Sequence, residues 1–317
     1  MQNICSLNNL NVIRGSCSFN DNYKLESLEG LNNVDTIYGD LKLISNFNLN
    51  DLSGFSNLRF IGGNIYISDC TGLKSLNGLQ NITSFNKSFE INYCPTLLNF
   101  NGLNNLEYAQ SMNVNNNISL STLYGLEKLI KVEENFKFYL NTLTSIDNLN
   151  KLSYIGGDFL ISGELILQSL EGFTSLDTIK GDLNLLYTGI LNMDGFKNLD
   201  FIGGDLEIKE NLNLNDLTGL YNLKNINGYL SIGHNEKLEN LYGLDNIDPY
   251  SLAYVGIGGN NSLSYCSVNS ICEYISLPDA LYNIDQNIGT CADEFVLEYT
   301  CSLVGEKEIP QNTEISI

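Results

Sequence analysis

Three aspartates recur at the same point of consecutive sequence repeats. Asp158, Asp182 and Asp205 each precede a short segment of alternating apolar residues, and Asp40 holds the same place nearer the N-terminus. Parallel strands would stack these carboxylates about 4.8 Å apart, where they repel one another unless bridged, and Ca²⁺ prefers such oxygen ligands. Alternatively, each Asp accepts a hydrogen bond from a corner amide and points to solvent. The pattern therefore raises two hypotheses, a calcium site and an amide-accepting corner.

The other reactive groups do not form a recognisable catalytic pattern. His234 is the single histidine, and no Ser or Cys stands at a spacing typical of nucleophilic catalysis. The run Gly256-Ile257-Gly258-Gly259-Asn260 lacks the Lys and the following helix of a phosphate-binding loop. With 37 Asp and Glu, chance carboxylate pairs say nothing about glycoside hydrolysis. We predict that the protein is not an enzyme and uses no cofactor.

Charge and hydropathy exclude two classes of partner. The 317 residues include 16 Lys and Arg against 37 Asp and Glu, which gives a net charge of −21. A surface of that sign repels a phosphate backbone, so we predict no nucleic-acid binding. No apolar run is long enough to span a membrane as a helix.

The eight cysteines indicate an oxidising compartment. Cys5 and Cys17 bracket the incomplete first repeat, and we predict a disulfide between them. Cys70 and Cys94 lie 24 residues apart at equivalent repeat positions, where either a disulfide or two buried thiols would fit. The N-terminus lacks a basic region followed by an apolar stretch, so either a signal peptide has been removed or the thiols are reduced. We expect the first, and with it a secreted or cell-surface location, because six cysteines cluster at the two ends of the chain.

A repeat of 23 or 24 residues organises most of the chain. Its anchor is the glycine of a recurring Leu-x-Gly-Leu phrase, replaced once by Asn, and the ten anchors are Gly30, Gly54, Gly78, Gly102, Gly125, Asn148, Gly172, Gly195, Gly219 and Gly243. The residues five and two positions before every anchor are apolar. A corner then precedes an alternating segment, as in Gly204-Asp205-Leu206-Glu207-Ile208, which is typical of a strand with one buried face.

This spacing predicts an all-β parallel β-solenoid of about ten 24-residue coils. One coil cannot close a core alone, but stacking places each apolar column on its equivalent in the next coil. A horseshoe with a helix in each repeat is the alternative, although 24 residues leave little room for helices. A further column predicts a buried ladder of side chains: Asn46, Cys70, Cys94, Asn117, Asn141, Glu164, Thr188, Asn211 and Asn235.

The phrase Ile-x-Gly-Gly-Asp-Leu-x-Ile-x-x-Asn-x-x-Leu-x-x-Leu-x-Gly-Leu-x-Asn-Leu resembles the repeat of receptor L domains, which are leucine-rich-like β-helical modules. The resemblance covers residues 15 to about 247, and residues 201–223 carry nearly all of it. It implies a right-handed β-helix that binds a ligand or mediates adhesion and performs no catalysis. Ten coils exceed the usual length of one such domain, so receptor ligand specificity does not carry over.

The segment around Cys266, Cys272, Cys291 and Cys301 is similar to the end of secreted leucine-rich proteins of the Bacteroidetes group. Four cysteines allow three pairings. Analogy with other leucine-rich caps implies Cys266 with Cys291 and Cys272 with Cys301. We also expect short helices at 268–275 and 293–299. The predicted organisation is an N-terminal cap and first coil at 1–29, repeats at 30–262, a disulfide-stapled helical cap at 263–302 and a tail or linker at 303–317.

The middle of the repeat array departs from its own pattern. Outward strand positions that hold charged or amide residues elsewhere become Tyr139, Leu160 and Leu186, with Tyr187 beside them. An exposed apolar cluster on a polar face indicates a contact surface. Alternatively, the repeat sequence has diverged here and the side chains only pack against one another, without a binding role. The leading function is a binding or adhesion module for an unknown protein or glycan. The alternatives are a polysaccharide-active enzyme and a spacer for another domain.

Overall fold

The computed structural model describes residues 4–305, and residues 306–317, most of the predicted tail, lie outside it. These residues form an all-β parallel β-solenoid, as the repeat predicts. Each coil turns around the apolar columns. The residues two and five positions before each anchor are all at most 1% exposed. Burial of these columns drives the fold, since each coil supplies apolar surface that only its neighbours can cover.

A typical coil contains two strands separated by the glycine-rich corner. The first has two residues and the second has four or five, so only a short stretch of each coil is extended. In two coils, one long strand runs through both positions. The short strands are β1 (Val12–Ile13), β3 (Thr36–Ile37), β5 (Phe60–Ile61), β9 (Lys131–Val132), β11 (Tyr154–Ile155), β13 (Thr178–Ile179), β15 (Phe201–Ile202) and β17 (Asn225–Ile226).

The second strands form one continuous parallel face, which we call the strand face. Its members are β2 (Cys17–Asn20), β4 (Leu41–Ile44), β6 (Ile65–Ser68), β7 (Ser84–Asn92), β8 (Tyr108–Asn115), β10 (Phe136–Tyr139), β12 (Phe159–Ser162), β14 (Leu183–Leu186), β16 (Leu206–Lys209), β18 (Tyr229–Gly233), β19 (Tyr254–Gly258) and β20 (Tyr282–Asp285).

The strand face keeps strict register from coil to coil. Leu183 pairs with Leu206, and Leu206 pairs with Leu230. Inward and outward residues alternate, so β14 and β16 each bury their first and third residues. Because the side-chain period of a strand is two, this register places every outward column in a straight line across the face.

Turns and 3-10 helices connect the strands on the remaining sides. The 3-10 helices span Cys5–Leu7, Ser53–Phe55, Asp147–Leu149, Glu171–Phe173, Asp194–Phe196, Thr218–Leu220, Pro249–Ser251 and Gly289–Cys291. The described residues hold two α-helices, α1 (Asn269–Ile275) and α2 (Glu294–Gly305), both near the C-terminus. The repeats among the described residues therefore contain strands, turns and 3-10 helices, without an α-helix in each repeat.

The array is longer than the ten coils counted from the anchors. It has about eleven turns, because β20 lies within the segment predicted as the cap and pairs with β19. The cap also contains both α-helices and two disulfides. Cys266 bonds Cys291, and Cys272 bonds Cys301, the pairing that the resemblance implied.

The disulfide predicted between Cys5 and Cys17 is not formed. Cys17 opens β2 with its side chain turned into the first coil, 7% exposed, and its thiol is free. Burial raises the pKa of this thiol to about 11. Apolar packing rather than a covalent bond therefore holds Cys17, and the side chain of Cys5 lies outside the described residues.

Candidate functional site

The ladder column forms a line of hydrogen bonds beneath the edge of the strand face. The Asn211 backbone N–H donates to Asn235 Oδ1 at 3.0 Å, and its Nδ2 donates to the Leu185 carbonyl at 2.9 Å. The same bond runs from Asn235 to Asn260 and from Asn260 to Asn287. These last two rungs lie past the final anchor, where sequence spacing no longer identified them. The ladder is structural, and it holds the rim of the strand face in place.

Glu164 replaces an amide in this ladder and is fully buried. Its Oε1 accepts hydrogen bonds from Asn141 N at 2.9 Å and Asn141 Nδ2 at 3.0 Å. Its Oε2 accepts one from Leu143 N at 2.9 Å. Burial raises the pKa of the carboxyl, while these hydrogen bonds act in the opposite direction. In the next coil, Thr188 Oγ1 donates to Asn211 Oδ1 at 2.6 Å and resumes the ladder.

Cys70 and Cys94 occupy the ladder as two buried thiols, which resolves the alternative left open by their spacing. Cys70 Sγ donates to the Leu43 carbonyl at 3.5 Å, and Cys94 Sγ donates to the Asn92 carbonyl at 3.5 Å. Hydrogen bonding to Cys70, together with burial, raises the pKa of Cys94 well above its usual value. The two side chains thus take the place of asparagines rather than forming a reactive site.

The stacked aspartates build a second ladder at the corner before the strands. Asp158 Oδ1 accepts from Asp182 N at 3.4 Å, and Asp182 Oδ1 accepts from Asp205 N at 2.9 Å. Asp205 Oδ1 in turn accepts from Tyr229 N at 2.7 Å. Lys137 Nζ lies 2.8 Å from Asp158 Oδ2 and neutralises part of the charge.

This geometry favours the amide-accepting corner over calcium binding. One oxygen of each aspartate already receives a backbone N–H, and the other oxygen of Asp158 pairs with Lys137. Among residues 4–305, no three or more His, Cys, Asp or Glu side chains form a group that could hold a metal ion. The calcium site remains a prediction that calorimetry can test.

The central apolar residues come together on the strand face. Tyr139 and Leu186 occupy one outward column with Ser162 between them. Leu160 lies in the neighbouring outward column, between Lys137 and Asn184. All three apolar side chains are half-buried. They therefore surround Ser162 on three adjacent strands and present a joint apolar surface to solvent.

Two more apolar side chains extend this surface at its rim. Leu140 and Tyr187 directly follow β10 and β14, and each is 53% exposed. The sequence pattern indicates Tyr187 but does not indicate Leu140. We name the five residues Tyr139, Leu140, Leu160, Leu186 and Tyr187 the central apolar cluster.

Leu140 and Tyr187 share their backbone conformation with the residues at the same corner of the other coils. Both are left-handed, with φ of 56° and 54°, in a column otherwise held mostly by polar residues or glycine. A side chain with Cβ is disfavoured there by roughly 1–2 kcal/mol. The Leu140 side chain leans over Gly163, where an added Cβ would lie 2.7 Å from Leu140 Cδ2. A large apolar residue at a corner that favours Gly or Asn is the sequence signal that could have identified Leu140.

Ion pairs border the cluster along the strand face. Lys137 and Asp158 lie on one side of Leu160, and Lys209 pairs with Glu207 on the strand next to Leu186. Leu165 and Ile166, which follow Glu164, are 69% and 54% exposed near the same rim. The arrangement is an apolar centre with charged residues around it.

Comparisons with known proteins add no family assignment. No protein-family model matches the chain, and no curated protein matches it. Among solved structures, it is similar to the crystal structure of an internalin from Listeria monocytogenes. That match has 14% sequence identity and a TM-score of 0.33, and it covers 87% of each chain. At that TM-score, the match supports no conclusion about fold or function. No helix in residues 4–305 has the length and apolar character required to cross a bilayer.

Proposed function

We propose that the protein is a non-enzymatic binding module that presents its strand face to a protein partner, with the central apolar cluster at the centre of the contact. The observation that carries the proposal is the exposure of Leu140 and Tyr187 in left-handed backbone conformations. The same left-handed corner recurs in the other coils, where it mostly carries polar residues or glycine. Large apolar side chains at this corner display surface that folding would otherwise avoid.

The partner we infer is a protein with an apolar patch of its own. The cluster offers leucine and tyrosine side chains, which bury large areas at modest entropic cost. The flanking ion pairs would form a polar rim that fixes orientation. Two cap disulfides support a secreted or cell-surface location for this interaction, as does the resemblance of the repeat to receptor L domains.

The experiment is a partner screen with variants of the cluster. The triple variant Tyr139→Ser, Leu160→Ser and Leu186→Ser should bind the partner retained by wild type at least about tenfold more weakly. Each substitution should change the free energy of unfolding by less than about 1 kcal/mol, because all three side chains are only half-buried. Titration with the purified partner and thermal unfolding measure the two effects.

Two further variants provide a control and a second test of the cluster. Tyr250→Ser removes an 80% exposed tyrosine outside the strand face and should leave binding unchanged. Leu140→Asn places a residue that tolerates left-handed φ at the strained corner, so it should weaken binding without loss of stability. Unchanged affinity in the triple variant, or a loss of several kcal/mol in its stability, would show that the cluster is core rather than contact surface.

A further inference from the structure

A strip of the strand face near its C-terminal end carries almost no side chains. Beyond Tyr229 and Tyr254 at the start of these strands, the outward residues of β18 and β19 are Ser231, Gly233, Gly256 and Gly258. In the same two columns, the strand before them carries Glu207 and Lys209, and the strand after them carries Asn283 and Asp285. We name the four residues of β18 and β19 the glycine trough.

Backbone conformation does not require these glycines. Gly233, Gly256 and Gly258 have no positive φ, in contrast to the adjacent Gly259 at +72°. Glycine inside a strand weakens it, and it is found where a ligand or another backbone must approach closely. Three such glycines on one face, with Gly233 paired to Gly258, therefore allow a side chain or a ligand to approach the sheet closely.

The trough is a concave site of about 230 Å³. Its walls are the side chains of Lys209, His234, Tyr254, Asn283, Asp285 and Gln286. The side chains of Tyr254 and Asp285 lie above the glycines. A Cβ on Gly256 would lie 2.9 Å from Tyr254 Cε1, and one on Gly258 would lie 2.5 Å from Asp285 Oδ1. Both contacts are with the ends of side chains, which can move when a ligand enters.

The floor and the walls offer a ligand different chemistry. β18 pairs with β16 and β19, and β19 pairs with β18 and β20, so the ladder uses the peptide groups of the floor. The floor is thus a flat surface for C–H groups, extended by the ring of Tyr254, which packs edge-on against Tyr229 with centroids 5.6 Å apart. Hydrogen bonds must come from the walls.

The side chains of the walls include both hydrogen-bond donors and hydrogen-bond acceptors, and their positive and negative charges are nearly balanced. Lys209 pairs with Glu207, and Asp285 is neighboured by the amide of Gln286. His234 and Asn283 are exposed, so their polar atoms face solvent. Lys, His and amide nitrogens donate, while Asp and amide oxygens accept. This set suits a neutral ligand with alternating donor and acceptor groups, and the net charge of −21 disfavours an anion.

We propose that the glycine trough binds a neutral sugar ring, such as the terminal residue of a glycan. A pyranose has an apolar C–H face for the floor and Tyr254, and a rim of hydroxyls for the walls. An extended peptide fits less well, because strand addition requires an open sheet edge and β18 and β19 lie inside the sheet. The site is separate from the central apolar cluster and does not depend on it.

The test is binding of the intact chain to a panel of neutral and acidic glycans, followed by calorimetry or ligand-observed NMR with the strongest neutral glycan. Gly256→Asn places in the trough the residue type found in the same column at Asn113 and Asn184, and should weaken binding at least about tenfold. Asn283→Ala, which removes an exposed wall donor without touching the floor, should weaken it in the same direction. Asn113→Ala, far along the same column, is the matched control and should bind as wild type does.

The outcomes separate this proposal from the protein-binding one. Loss of neutral-glycan binding in both trough variants, with retention in Asn113→Ala and in the triple serine variant of the cluster, supports the site. The proposal is overturned if no neutral glycan binds, if only acidic glycans bind, or if Gly256→Asn and Asn283→Ala bind as tightly as wild type. Melting temperatures near the wild-type value establish that the variants are folded.

Discussion

Glu164 shows how one substitution alters the chemistry of a repeated position. An asparagine in the ladder accepts from the backbone N–H of the ladder residue in the preceding coil and donates to a carbonyl, as Asn211 and Asn235 do. An ionised glutamate only accepts, and here it receives three hydrogen bonds while wholly buried. Burying a carboxylate without a cation is costly, which is why the pKa of Glu164 is raised.

The raised pKa predicts a specific pH dependence. The native state holds the Glu164 proton at pH values where the unfolded chain has released it. The contribution of this residue to stability is therefore fully present below the unfolded pKa of about 4.3 and declines as pH rises through the higher folded pKa. Relative to Glu164→Gln, which does not titrate, wild type should lose free energy of unfolding across that window. Denaturant unfolding of both proteins from pH 4 to 7 measures the difference.

Other carboxylates titrate in both proteins, so only the difference between them is informative. A difference that stays constant with pH would mean that Glu164 has the same pKa folded and unfolded. A difference that moves in favour of wild type would reverse the direction argued from burial.

At the scale of the elements, the anchor column sets how closely the coils pack. Gly195 lies in the 3-10 helix Asp194–Phe196, where an added Cβ would be 1.8 Å from the carbonyl oxygen of Leu170 in the preceding coil. A backbone carbonyl cannot move away from the added Cβ, whereas the end of a flexible side chain could. Asn148 holds the same repeat position in the 3-10 helix Asp147–Leu149 and already accommodates a side chain, whose Nδ2 donates to Glu127 Oε1.

This contrast predicts that alanine costs more stability at Gly195 than at the equivalent position Asn148. Gly195→Ala should lower the free energy of unfolding by about 2–3 kcal/mol, because the new methyl group forces two coils apart. Asn148→Ala should cost less than about 1 kcal/mol, since it only removes a partly exposed polar group. Chemical denaturation of the two variants measures both values. Equal costs would mean that close packing of the anchor is not what glycine provides.

The whole molecule is a linear stack in which each coil contacts mainly its neighbours. In such an array, each coil is stabilised by its interfaces with the neighbouring coils, and an end without a cap unfolds first. The C-terminal end is covered by α1 and α2, and the bond between Cys272 and Cys301 joins these two helices. The other disulfide ties Cys266 to Cys291 across the last turn.

Removal of the helix-joining disulfide should therefore loosen this end first. Cys272→Ser with Cys301→Ser opens a loop with a sequence separation of 29, which should cost roughly 3–4 kcal/mol. Hydrogen exchange should accelerate in β19 and β20 before it does in β10 and β12. Uniform acceleration along the chain would indicate instead that the solenoid unfolds as one cooperative unit.

Local pattern was enough to predict much of this architecture. The 24-residue period, the apolar columns, the buried ladder and the cap helices all follow from residue types at fixed spacing, since coils in a parallel stack repeat one environment. The pairing of Cys266 with Cys291 and of Cys272 with Cys301 came from a family resemblance rather than from spacing. The count of coils fell short because β20 lies beyond the last Leu-x-Gly-Leu anchor.

The candidate sites were harder to predict from the sequence than the fold was. Tyr139, Leu160 and Leu186 stood out by composition, but the left-handed backbone that displays Leu140 is a property of the folded corner. The aspartate column suits a cation by composition, and only the register shows that each carboxylate also accepts from the next coil. In the glycine trough, Gly256 and Gly258 belong to the run that lacks the features of a phosphate-binding loop. The shape of the trough depends on three neighbouring strands and is not visible in that run.

The sequence by itself determined that this chain stacks repeating coils around leucine columns, because burial requires only that apolar residues recur at the period of a coil. Tertiary structure decided which outward residues meet. Side chains from different coils become neighbours through register, and register follows from packing of the whole stack. The central apolar cluster and the glycine trough each combine residues from several coils, so neither exists in any single repeat.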